Sequence, residues 1–142
     1  MQVLRSIEAL STLPGPLALA VGVFDGLHLG HQEVIRAAQE HATQHHGTAV
    51  VVTFDPHPAQ VLRPGSAPKL LCGPRHQQLT LSQLGIPCLL ACPFTAETAK
   101  TPAREFIGRL VAAARPLGCI SVGYTWSFGH QREGNIHLLM EL

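Results

Sequence analysis

The stretch Leu17-Ala18-Leu19-Ala20-Val21-Gly22-Val23-Phe24-Asp25-Gly26-Leu27-His28-Leu29-Gly30-His31 decides how this chain reads. An apolar run, Leu17–Val23, has the pattern of a buried strand, and a helical rhythm begins only a few residues beyond it. Three glycines and two histidines therefore occupy one strand-to-helix crossing, the place where α/β proteins bind nucleotide phosphates. His28 and His31 are three apart, which sets both imidazoles on one side of a first helical turn. The free backbone N–H groups of such a turn add positive potential, so the stretch suits a polyphosphate.

Working outward, Gln32 to His46 carries Val34, Ile35, Ala37, Ala38 and Ala42 at helical spacing, with Gly47 as a C-terminal stop. Thr48–Phe54 is a β-branched run of the kind buried on both faces of a parallel sheet, which closes a first β-α-β unit. Asp55-Pro56-His57-Pro58 follows at once, and its prolines forbid further pairing and stiffen a loop at the strand's carboxyl end. That loop is expected to face the same crevice as the opening stretch. Upstream, Met1 to Pro16 reads as an edge segment and a turn feeding the first central strand.

Downstream, Arg63 to Pro74 reads as an exposed connection and Pro74 to Leu84 as a short helix ending at Gly85. Cys88–Cys92 is a third strand. Thr101-Pro102 predicts a helix start, with Thr101 capping and Pro102 in the first helical position, and the helix runs to about Arg115. Cys119–Val122 is a fourth strand, Gly123 to Gly134 a loop, and Ile136 to Leu142 the beginning of a further helix, so the chain is expected to be cut inside an element. Alternating strands and helices without a repeat imply an α/β, doubly wound parallel sheet.

Composition narrows the function. The chain has 142 residues, 46% of them hydrophobic and 13% charged, with a formal net charge of +1. One compact domain is expected, and a nearly neutral chain carries no electrostatic footprint for nucleic acid or an anionic membrane. No apolar run reaches the length of a membrane span, and Met1-Gln2-Val3-Leu4-Arg5 is not the start of a signal peptide. Cys72, Cys88, Cys92 and Cys119 form no CxxC pair and read as free thiols of a reducing cytoplasm. His41, His45 and His46 lie at helical spacing and read as a solvated helix face rather than a metal site.

GVFDGLHLGH is neither a GxGxxG fingerprint nor a P-loop, since no GK[ST] occurs. Here imidazoles reach the phosphates, and Gly30 removes a side chain where they must approach. The stretch resembles the HxGH signature of the nucleotidyltransferase superfamily. Together with TFDPHP (residues 53–58) it resembles the adenylyltransferase module of prokaryotic bifunctional riboflavin kinase/FAD synthetases. Pro93-Phe94-Thr95, the TPAREFI segment (residues 101–107) and the VGYTWSFGHQREGN loop (residues 122–135) fall in that family's order.

The resemblance implies a Rossmann-like domain over residues 1–142 that transfers the adenylyl group of ATP to FMN, giving FAD and pyrophosphate, with Mg²⁺ assisting. It implies that His28 and His31 are catalytic and contact the ATP phosphates. Gly22, Phe24, Asp25, Gly26 and Gly30 would shape the ATP pocket, and Asp55, Pro56 and His57 would border the FMN phosphate and the metal. Of the late loop, Gly123, Phe128, Gly129 and Gly134 match the family pattern, whereas Thr125 and Ser127 stand where an Asp and an Arg are usual. Trp126 and Phe128 read as core or as a platform for a flavin or adenine ring.

The family continues with a Ser/Thr-rich, Arg-containing segment and a β-barrel riboflavin kinase domain, and neither falls within residues 1–142. The resemblance thus implies an adenylyltransferase module truncated at its C-terminal end. Two other readings stand beside it. One is an HxGH nucleotidyltransferase with a different phosphorylated acceptor, and the other is a non-catalytic fragment that binds ATP or flavin.

Overall fold

The computed structural model describes residues 1–22, 24, 29–55, 74–114 and 116–122, and the backbone of 127–128 and 134–135. Its centre is a five-stranded, wholly parallel sheet. The strands are β1 (Gln2–Leu4), β2 (Leu17–Val21), β3 (Thr48–Asp55), β4 (Cys88–Pro93) and β5 (Leu117–Val122), in the spatial order β1-β4-β3-β2-β5. The helices are α1 (Leu29–His45), α2 (Pro74–Gln83) and α3 (Ala103–Ala113), with a 3₁₀ segment at Ile7–Thr12.

Alternation along the strands divides the core into two layers. On one face Leu17, Leu19, Val21, Val50, Val52, Cys88, Leu90 and Cys92 meet Ile7 and Leu10 of the 3₁₀ segment and Ala103, Phe106, Ile107 and Leu110 of α3. On the other, Ala18, Ala20, Ala49, Val51 and Leu89 meet Ile35, Ala38 and Ala42 of α1 and Leu81 of α2. Small residues on both sides of the α1 contact let helix and sheet approach closely. A strand covered on both faces has no polar side to display, which is why β3 is a run of buried valines.

Several boundaries depart from the sequence reading for identifiable reasons. β2 ends at Val21 rather than Val23, although the Gly22 amide still donates to the Val52 carbonyl at 3.0 Å. Helix α1 begins at Leu29 rather than Gln32, which takes Gly30 and His31 into its first turn. At its other end His46 itself adopts the left-handed conformation, with φ at 56°. Gly47 serves a different purpose there, because a Cβ on it would run into the Pro16 carbonyl oxygen. Gly85 does terminate α2 as expected, with φ at 86° and the Ile86 amide returning to the Leu81 carbonyl.

Thr101 does not take the N-cap position. Pro102 is the N-cap, its carbonyl accepting from the Phe106 amide, and as a proline it offers no side-chain cap. The region read as a late loop contains an antiparallel pair, β6 (Ser127–Phe128) with β7 (Gly134–Asn135). The expected exposed connection over 63–73 and the expected helix over 136–142 lie outside the described residues. Among the described residues no helix is long and apolar enough to cross a membrane.

The histidine face is only partly solvated. His45 and His46 are exposed, but His41 is half-buried, stacked on His45 with ring centroids 4.1 Å apart and close to Gly118.

Cys88 and Cys92 are buried free thiols, Cys119 is half-buried, and Cys72 lies outside the described residues. Burial pushes the Cys88 thiol up to about 11 and the Cys92 thiol up to about 12, from an ordinary 9.0. Between those limits the unfolded chain releases protons that the folded chain retains. The stabilising contribution of these thiols is therefore complete below pH 9 and lost as pH rises toward 11 to 12. Urea midpoints measured from about pH 8 to about pH 10.5 are expected to fall, and Cys92→Ala is expected to flatten part of that decline.

Candidate active site

In a parallel sheet all carboxyl ends share one edge, and ligands bind there where the strand order reverses. In this chain the reversal lies between β2 and β5. From β2 the chain passes through α1 to β3 on one side, whereas β5 pairs with β2 on the other, ending in the register Val21 with Val122. The amino end of α1, with Gly30 and His31, follows the end of β2 after seven intervening residues. Its first-turn N–H groups and helix dipole favour an anion at that position.

Among the described residues, contacts from Phe24, α2 and β5 bear on this turn. Phe24, only 2% exposed, forms a T-shaped pair with the His31 imidazole, with centroids 5.3 Å apart and planes at 83°. Phe24 takes a left-handed backbone (φ 56°), an outlier for a bulky side chain. Gly22 leaves room for that ring, since a Cβ on Gly22 would stand 3.0 Å from its tip. From α2, the Gln77 side-chain amide donates to the Phe24 carbonyl at 3.3 Å. From β5, the Ser121 hydroxyl donates to the Val34 carbonyl at 2.8 Å, pinning α1 one turn beyond His31.

The second cluster lies along the same edge. Asp55 is the last residue of β3, and its carbonyl accepts from the Phe94 amide at 3.1 Å. Its carboxylate is 3.1 Å from Arg5, which directly follows the edge strand β1. Both partners are substantially exposed, so the pair is worth at most about 1 kcal/mol and gives way readily to a better ligand. Behind it Phe54 packs against Phe94 and Phe106, each with ring centroids 5.8 Å away.

Of the residues singled out from the sequence, the structure thus places Gly22, Phe24, Gly30, His31 and Asp55 at the carboxyl edge. Phe24 is there as a buried support. Asp25, Gly26, His28, Pro56, His57, Gly123 and Gly129 lie outside the described residues, and Phe128 is described only as backbone of β6. Arg5, Gln77 and Ser121 were not anticipated. Gln77 and Arg5 meet partners 53 and 50 residues away in sequence, and no local pattern signals such contacts. Among the described residues no group of three or more His, Cys, Asp or Glu is arranged to hold a metal ion.

A family description, FAD synthetase, matches residues 11–142. The chain belongs to the FAD synthetase family. The match takes in every residue of the site except Arg5. Among the curated relatives of this chain are three bifunctional riboflavin kinase/FMN adenylyltransferases. That of Escherichia coli K12 is 30% identical over 99% of this chain and 45% of its own length. That of Buchnera aphidicola from Acyrthosiphon pisum is 29% identical over all of this chain and 45% of its own length. That of Bacillus subtilis 168 is 32% identical over 83% of this chain and 37% of its own length.

The chain therefore spans about half the length, or less, of the curated relatives it matches. A crystal structure described as a macrolide-efflux protein from Streptococcus pneumoniae superposes with a TM-score of 0.77 at 24% identity, over all of this chain and 47% of the other. At that identity the likeness concerns the fold alone, which is the Rossmann-like one expected from the sequence.

Proposed function

We propose that this chain is the FMN adenylyltransferase module of an FAD synthetase, with residues 1–142 forming the nucleotidyl-transfer part. A phosphate oxygen of FMN attacks the α-phosphorus of ATP, the bond from that phosphorus to the bridging oxygen of the β-phosphate breaks, and FAD and pyrophosphate leave. The observation that carries this reading is His31 held by Phe24 in the first turn of α1 at the topological switch point.

Attack of one phosphate on another brings two anions together, so the protein's contribution is positioning and fixed positive charge. The amino end of α1 offers N–H groups to the triphosphate, and the His31 imidazole donates to oxygen carrying the charge that develops about the α-phosphorus. His28 is the second such donor, and Gly30 keeps the approach open. Asp55, with Pro56 and His57, borders the FMN phosphate, and Arg5 exchanges the Asp55 carboxylate for that phosphate when it arrives.

A divalent cation belongs to this reading, and we take it as Mg²⁺ arriving with ATP. Mg²⁺ is held through substrate phosphates and one or two carboxylates, and Asp55 supplies a hard oxygen donor of that kind at the same edge. When bound, the cation offsets charge on the phosphates. A cytoplasmic setting goes with the reading, as ATP and FMN are the substrates and Cys88 and Cys92 are free thiols.

The test is FAD formation from ATP, FMN and Mg²⁺, followed by chromatography beside a His28→Ala/His31→Ala control. Product from the parent at a rate at least about a hundredfold above the control is expected. No product above the control leaves a binding fragment as the reading. Tight calorimetric binding of phosphopantetheine or nicotinamide mononucleotide, with FMN not bound, assigns a different acceptor.

A further inference from the structure

We propose that Gln77 is a positioning residue for the transfer step, acting on His31 through Phe24. The inference rests on the nucleotidyl-transfer reading of the site and adds a residue of α2 to it. Phe24 is the only bulky described residue between β2 and α1, and it is held with φ at 56°, a conformation a phenylalanine adopts only when its surroundings impose it. Its two functional ends are separately engaged. The ring forms the T-shaped pair with the His31 imidazole, and the carbonyl accepts from the Gln77 amide, half-buried in α2.

The physical consequence follows from which end is free to move. A backbone in a sparsely populated region relaxes when a contact that over-determines it is removed. Rotating the Phe24 peptide away from α2 tilts the ring that it carries, and Gly22, close against the ring's tip, has no side chain to hold it in place. The imidazole then loses the T-shaped contact with that ring. An imidazole that must meet charge developing on one phosphate oxygen has little tolerance for displacement, because misplacement by an ångström costs orders of magnitude in rate. Gln77 is thus expected to affect kcat while touching neither substrate.

The helix that carries it fits this use. α2 is anchored independently of the contact, by Leu81 in the core, by Gly85 at its end, and by the Gln39 side-chain amide of α1 donating to the Leu84 carbonyl at 2.9 Å. Removal of the Gln77 amide therefore leaves the helix seated, and the Phe24→Leu background separates the part of its effect that passes through Phe24.

The test uses Gln77→Met, which keeps the length and removes the donor, and Gln77→Glu, which keeps the shape and turns acceptor oxygens toward a carbonyl. For both, kcat for FAD formation is expected to fall about tenfold or more with KM for FMN unchanged within about twofold. The His31 Cε1–H resonance, which senses the Phe24 ring current, is expected to shift, and the thermal midpoint to stay near that of the parent. In a Phe24→Leu background Gln77→Met is expected to add less than about twofold.

An unmoved His31 resonance overturns the proposal, as does an unchanged kcat in an active parent or an undiminished penalty in the Phe24→Leu background. If the parent itself forms no FAD, the functional reading is what fails. The His31 resonance and its dependence on Phe24 then decide the positioning claim by themselves.

Discussion

Replacing His31 with alanine is expected to lower kcat for FAD formation by about two to three orders of magnitude, the cost of deleting one fixed donor to developing charge. The helix tolerates the change, because alanine is the best helix former and His31 is not part of the buried core. A loss of turnover therefore does not arise from unfolding, and circular dichroism should show α1 intact. The split between parameters identifies where the imidazole acts. If it serves the transition state, kcat and kcat/KM fall together, whereas a ground-state contact to ATP raises KM and spares kcat.

The control is on the same helix. His45 lies at the far end of α1, exposed, with its ring nitrogen against the His41 carbonyl at 2.9 Å. His45→Ala should leave kcat within about twofold, since it removes an imidazole more than three helical turns from the anion-binding end. Equal effects from the two substitutions would mean that α1 is being perturbed as a whole and would remove His31 from the mechanism.

What made this site readable is that its decisive residues are consecutive. A buried strand and a helix start fall within Leu17–His31, and each has a local signature that places the element, though not its boundary, correctly. The two-sided burial of β3 is equally legible, because a strand sandwiched between helices has no polar face and reads as a continuous apolar run.

Other features were not local. Pattern alone does not say that β1 pairs with β4 rather than with the strand that follows it, yet that pairing is what carries Arg5 to Asp55. Thr101 is a good capping residue by type, but Pro102 takes the N-cap position itself and leaves the threonine outside the helix. The positive φ expected of a glycine after α1 falls on His46, and Gly47 is instead required by the nearness of Pro16, 31 residues earlier in the chain. The resemblance implies that Phe24 helps to shape the ATP pocket, and says nothing of how. The structure buries its ring against Ile35, Ala38 and Leu81, where it supports the histidine from within the core.

That burial gives Phe24→Ala the largest expected effect on stability, about 3 to 5 kcal/mol from lost transfer free energy and the cavity left behind. The size depends on Gly22, whose Cα hydrogen faces the tip of the ring. Adding a methyl there places it 3.0 Å from the ring, tighter than ordinary contact, so Gly22→Ala alone should destabilise by about 1 to 3 kcal/mol. With the ring gone, the same methyl enters the vacated space and meets no clash. The double variant should then be no less stable than Phe24→Ala, an interaction free energy of at least about 1 kcal/mol and opposite in sign to the single penalty. Urea unfolding of the four proteins measures it, and Phe24→Leu reads the same coupling at smaller amplitude should the alanine variant be too unstable. Strict additivity would mean that Gly22 and Phe24 act independently. The ring would then have another reason for its left-handed backbone than the glycine beneath it, and the orientation of His31 would have to be traced to α1 alone.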